Sequence, residues 1–134
     1  MSRSKQLEIW LNQQVGLDYL WGGKTGKGGY DCSGLVREAF SNVGIELPDG
    51  SFNQAVWGRA IDVRVAHEGC LVFKRHPITQ RVNHVAVVVS GPTDERLCVI
   101  EAKGKKYGVV KARYLPMEWA MARKIDELYK EGGT

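Results

Sequence analysis

Apolar residues recur at helical spacing in two places near the N-terminus and then give way to short β-branched runs, and this change of period predicts the architecture. Leu7, Trp10 and Leu11 fall on one face of a first helix that Ser4 can cap and that fades near Gly16. Between Leu17 and Tyr30 the pattern is broken by Gly22, Gly23, Gly26, Gly28 and Gly29, so this stretch reads as a loop. Leu35, Val36, Ala39 and Phe40 restore the period and predict a second helix from Cys32 to about Asn42, with Gly44 suited to the left-handed position after a helix end. Leu47-Pro48-Asp49-Gly50 turns the chain, and Ser51 is placed to cap a short helix through Gln54 and Trp57. From Gly69 onward the spacing is that of strands: Leu71 to Phe73, Val85 to Val89, Cys98 to Ile100, Val109-Val110, and Met121 to Ile125. Gly91-Pro92-Thr93-Asp94-Glu95 has the composition of a hairpin connection. Helices followed by a run of antiparallel strands define an α+β domain in two layers, with N-terminal helices on a central sheet of about five strands.

Length and charge narrow this reading. The 134 residues suit one domain with one core, residues 1–134, and 43% hydrophobic with 25% charged residues is an ordinary globular composition. Cys32, Cys70 and Cys98 are odd in number and lack Cys-x-x-Cys spacing, so reduced thiols are expected and neither a disulfide framework nor a metal site. No cofactor is implied. The N-terminus Met1-Ser2-Arg3-Ser4-Lys5-Gln6 has no apolar segment behind it and no stretch is long enough to span a bilayer. The expectation is synthesis in the cytoplasm without a signal peptide and no stable membrane insertion, in a protein that is a monomer. A net charge of +4 favours anionic surfaces in general, and its densest run is Lys103-Gly104-Lys105-Lys106. The run has neither the aromatic interleaving nor the finger spacing of a nucleic-acid reader, so no nucleic-acid partner is expected.

One thiol stands where helix physics activates it. Tyr30-Asp31-Cys32-Ser33-Gly34 opens the second helix, where unpaired backbone N–H groups and the positive end of the helix dipole favour an anionic sulfur by up to ~2 kcal/mol. A cysteine nucleophile also needs a base, and the base needs a third group to fix its orientation. His84 opens the most apolar strand, Asn83-His84-Val85-Ala86-Val87-Val88-Val89, and so sits at the border of core and surface; His67 and His76 fall in polar loops. The next strand ends in Glu101, and a hairpin through Gly91-Pro92 brings His84 and Glu101 to the same end of the pair. Taken alone, each of the three has an ordinary structural reading; their order along the chain makes one cleft possible.

These residues resemble the NlpC-type (NlpC/P60) papain-like cell-wall cysteine peptidases. The resemblance rests on Tyr19-Leu20-Trp21-Gly22-Gly23, on Asp31-Cys32-Ser33-Gly34-Leu35-Val36 and on His84-Val85-Ala86-Val87, with Gln54 and Glu68-Gly69-Cys70-Leu71-Val72-Phe73 as further matches, and covers about residues 5–125. It implies a papain-like fold and hydrolysis of peptidoglycan stem peptides, commonly between γ-D-glutamate and a diamino acid. Cys32 would attack the carbonyl, His84 would carry the proton, and Glu101 would take the third, orienting position. Tyr19 would line the site and help hold the oxyanion, and Asp31 and Ser33 match positions that contact substrate. Two departures are visible: Glu101 stands where His, Asn or Gln is more usual, and Cys70 replaces an acidic residue before the strand. The resemblance also implies delivery to the wall or periplasm, by a holin for a phage endolysin, by a phage tail, or by a secretion system for an effector. The alternatives are an N-acetylmuramoyl-L-alanine amidase on the same fold, acyl transfer on lipids, and a non-catalytic cell-wall-binding or assembly module.

Overall fold

A computed structural model of the chain describes residues 1–23 and 28–130. Among the described residues three α-helices, α1 (Arg3–Gln14), α2 (Cys32–Ser41) and the short α3 (Ser51–Gln54), precede six strands. These are β1 (Arg59–Ile61), β2 (Leu71–Arg75), β3 (Val82–Val89), β4 (Leu97–Ala102), β5 (Val109–Tyr114) and β6 (Met121–Lys124). They form one antiparallel sheet in the order β1-β6-β2-β3-β4-β5. The sheet thus has six strands and not about five. The additional strand, β1, is three residues long, lies at an edge with Arg59 and Ala60 exposed, and pairs Ala60 with Arg123. A strand this short and this exposed leaves no alternation to read.

Strand β3 explains the long apolar run. Val85, Val87 and Val89 face the helical layer and pack with Leu35, Val36 and Phe40, whereas Ala86 and Val88 face the other side with Val72, Val99, Tyr114 and Trp119. A strand buried on both faces has no polar side to show. The second face is covered by Ile61 at the end of β1 and by Val63 and Trp119 from the connections around the sheet, so the core extends beyond the two layers expected.

Helix starts differ in detail from expectation. Ser2, not Ser4, caps α1, its Oγ accepting from Lys5 N at 3.1 Å, and the longer helix brings the Arg3 guanidinium to the Glu127 carbonyl at 3.3 Å. Ser51 is the first residue of α3 and the cap position falls on Gly50, whose φ of 87° disfavours any side chain there. The edge of β5 is covered by the start of the loop: Gly16 N donates to Val109 O at 2.9 Å and Val109 N to Leu17 O at 2.8 Å. Among the described residues no helix is long and apolar enough to cross a membrane.

Candidate active site

The glycine-rich loop is a scaffold for the start of α2. Tyr19 to Gly23 lies beside Gly28 to Asp31 through a parallel bridge between Tyr19 and Tyr30, with Leu20 N donating to Tyr30 O and Tyr30 N to Asp18 O. Asp31 N donates to Gly23 O at 3.0 Å, and this same carbonyl lies only 2.0 Å from where a Cβ on Gly34 would stand. Only glycine at 34 admits that approach. Gly26 of the loop lies outside the described residues. Asp31 caps the helix, Oδ1 accepting from Gly34 N at 2.6 Å, with the Ser33 hydroxyl 3.4 Å away. Gln54, fully buried, donates from Nε2 to Ser33 O at 3.2 Å and Pro48 O at 3.0 Å, tying α3 to the first turn of α2. Cys32, half-buried, is therefore held at the first helical position by contacts on three sides. Among the described residues its backbone N–H and that of Ser33 have no acceptor, as the first turn of a helix leaves them.

The sheet supplies the partner. In the β3–β4 register Val87 faces Ile100 and Val88 faces Val99, which carried on places Glu101 across from Ala86 and diagonal to His84 on one face. His84 Nε2 lies 2.6 Å from Glu101 Oε1, and the Tyr114 hydroxyl donates to Glu101 Oε2. The other nitrogen is left for the Cys32 thiol, which lines the same cleft and bears on the titration of the imidazole. Trp119 stacks on the imidazole with ring centres 6.1 Å apart and planes at 19°, and Tyr114 meets Trp119 edge-on at 5.1 Å. The ring is thus fixed by Glu101 at one end and by an indole on its face.

Burial is the largest single influence on His84 and disfavours its charged form, yet hydrogen bonds and charge from Cys32 and Glu101 outweigh it and lift the imidazole to about 9. Glu101, 1% exposed, shows the same contest: burial favours the protonated acid, but His84 and Tyr114, helped by Lys74, hold it below the usual carboxylate range. The phenol of Tyr114 is pushed up by burial and then by Glu101, so it remains a donor. Tyr19 is likewise raised, by burial and then by Cys32 and Asp31. Between the ordinary imidazole value near 6.5 and about 9 the folded protein holds a proton that the unfolded chain releases. Stability is therefore fully supported by His84 below pH 6.5 and declines as pH rises through about 9. Thermal melts between pH 6 and 9.5 are expected to show this decline, and His84→Gln to flatten it; parallel curves for the two proteins would contradict it.

A cleft of about 410 Å³ opens on Cys32, His84 and Glu101 and is also lined by Tyr19, Lys74 and Lys103. The structure so brings together the three residues read as a catalytic set, with Tyr19 beside them. Asp31 and Ser33 do not line this cleft; their polar atoms are engaged at the helix cap. His67 and His76 lie apart in loops, half-buried, the first against the Tyr129 ring and the second accepting from Ile78 N and Thr79 N. Cys70 and Cys98 are buried. Sequence reasoning missed Tyr114 and Trp119. For Tyr114 one signal existed, since the β4–β5 register puts residue 114 on the face of Glu101; Trp119 sits in an irregular connection and gave none.

A thiol at a helix start facing a carboxylate-held imidazole across a helix–sheet junction is the arrangement of a papain-like hydrolase. The sequence pattern of the NlpC/P60 family matches residues 16–123, and the chain belongs to that family. It is 39% identical over 72 residues to the peptidoglycan endopeptidase RipB of Mycobacterium tuberculosis, covering 45% of this chain and 30% of the relative. To the gamma-D-glutamyl-L-lysine dipeptidyl-peptidase of Bacillus cereus it is 36% identical over 76 residues, covering 56% of this chain and 22% of the relative. The chain therefore matches less than a third of either relative's length. The crystal structure of an NlpC/P60 family protein from Bacillus cereus superposes with a TM-score of 0.78 at 28% identity, covering 90% of this chain and 39% of that one.

Proposed function

We propose that this protein is a cysteine endopeptidase that cleaves peptidoglycan stem peptides between γ-D-glutamate and a diamino acid. The observation that carries the reading is the His84–Glu101 contact of 2.6 Å, with the carboxylate buried and Cys32 lining the same cleft as the imidazole. The names of the relatives support the substrate: one is a peptidoglycan endopeptidase and the other acts at a γ-D-glutamyl bond to a diamino acid. The Cys32 sulfur adds to the carbonyl carbon, and the oxygen takes the negative charge beside the free Cys32 N–H and the protonated Tyr19 phenol. His84 gives its proton to the departing nitrogen, leaving an acyl-thioester, and then takes one from the water that releases the acid. Tyr114 and Trp119 act by holding Glu101 and the ring.

The test is digestion of purified sacculi, with iodoacetamide-treated protein as control, because Cys32 is the accessible thiol and Cys70 and Cys98 are buried. New N-terminal diamino acids in the mass spectra of the fragments are expected from the untreated protein alone. Stems freed from their lactyl link would make it an amidase, and identical spectra from treated and untreated protein would make it a binding module.

A further inference from the structure

Apart from the buried Glu101, the charged side chains that line the cleft are cations, and two of them are neighbours at the end of β2. Lys74 pairs with His84 across β2 and β3, and the register then slips, so that Arg75 pairs with Val82 and Asn83 is the extra residue. The bulge lies on β3, so Lys74 and Arg75 keep the alternation of β2: Lys74 reaches Tyr114 and Trp119 on one face, and Arg75 reaches the Met121 sulfur on the other. Even so, Lys74 and Arg75 both line the cleft that holds Cys32 and His84, and Lys103, just past the end of β4, lines it as well. Both Lys74 and Arg75 also line a second hollow of about 270 Å³ running on toward Met117 and Trp119. The accessible groove thus continues past the imidazole.

Among the described residues none of these three cations has a carboxylate within ion-pair distance. Lys74 Nζ lies over the rings of Tyr114 and Trp119 at 4.5 and 4.7 Å, and Lys103 Nζ over Tyr107 at 4.8 Å. Arg75 donates to the Gln80 carbonyl at 3.0 Å. Aromatic faces and a carbonyl steady the side chains without neutralising them. The carboxylates on hand are engaged elsewhere: Glu101 is buried against His84 and Tyr114, and Glu118 accepts from Leu115 N at 2.7 Å.

Chemistry gives these cations a side of the substrate. The imidazole must pass its proton to the departing nitrogen, so the amine half of the scissile bond lies on the His84 side of Cys32. That is the side on which Lys74 stands cross-strand from His84. Resting on the peptidase reading above, we infer that Lys74, Arg75 and Lys103 form a subsite for a free carboxylate carried by the residue released as amine. The protein then selects stems whose diamino acid keeps a free carboxylate over stems in which it is amidated or absent.

Three synthetic peptides with the same γ-D-glutamyl bond test this: one with a free carboxylate on the side chain of the diamino acid and an amidated C-terminus, one with only the C-terminal carboxylate free, and one with neither. The better carboxylate-bearing peptide is expected to exceed the neutral one by about tenfold in kcat/KM, chiefly through KM, and which of the two leads identifies the carboxylate. Raising the salt from about 0.01 to 0.5 M should shrink that ratio, since these cations are in contact with solvent. In a protein carrying Lys74→Gln, Arg75→Gln and Lys103→Gln the ratio should fall to near one. Calorimetry with Cys32→Ala protein should show the same order of affinities without turnover. Cleavage of all three peptides at equal kcat/KM overturns the subsite alone. No turnover of any peptide overturns the peptidase reading and the subsite with it.

Discussion

Glu101→Gln is expected to lower kcat/KM by about 100- to 10,000-fold while leaving a folded protein, and Cys32→Ala and His84→Ala to abolish turnover. Glutamine is close to Glu101 in shape and can still accept from Tyr114, but it brings no charge to the imidazole, so the loss falls on chemistry more than on packing. A second readout separates orientation from plain damage. The carboxylate is one of the groups that lift His84 to about 9, so the alkaline fall in kcat/KM, near that pH in the parent protein, should move toward neutrality in Glu101→Gln. His84→Ala should also slow alkylation of the accessible thiol at about pH 6, by roughly tenfold or more, because the imidazolium that stabilises the sulfur anion is gone. Unchanged alkylation in His84→Ala, or an unmoved alkaline limb in Glu101→Gln, would remove that residue from the role given to it.

Gly34→Ala should be strongly destabilising although it adds a single carbon. Helix propensity alone favours alanine by about 1 kcal/mol. Against this, the added carbon would stand 2.0 Å from the Gly23 carbonyl oxygen and 2.7 Å from Asp31 Oδ1, and the first of these is backbone that cannot rotate away. Relief requires either the Tyr19 to Gly23 segment or the first turn of α2 to shift, and the overlap wins by about 3 kcal/mol, lowering Tm by about 10 °C. Gly44→Ala is the informative comparison. It has no atom within 4 Å of the new carbon but a φ of +79°, so it should cost only about 1 kcal/mol. Equal melts for the two variants would show that Tyr19 to Gly23 is not seated against α2.

The legibility of the chain follows from how far each signal reaches. Cys32 was readable because its helix start is local: Asp31 caps, Gly34 admits the carbonyl, and Leu35, Val36, Ala39 and Phe40 set the period. His84 and Glu101 were readable because a hairpin converts sequence distance into spatial distance through one register. Lys74 and Arg75 were not, since no residue type announces that this end of β2 borders the cleft. Trp119 stacks on His84 from a connection outside any strand, and β1 owes its existence to the neighbour β6 and not to its own residues. What the sequence hid is what tertiary contact alone decides.

The nucleophile rides on α2 while the imidazole and its carboxylate belong to the sheet, and the two bodies meet along the seam of Leu35, Val36 and Phe40 with Val85 and Val87. Catalytic competence is therefore a gauge of alignment across that seam. A sliding of about an ångström separates sulfur from ring and forfeits about a hundredfold in rate while every helix and strand survives. Mild denaturant should accordingly silence the enzyme before circular dichroism registers any loss.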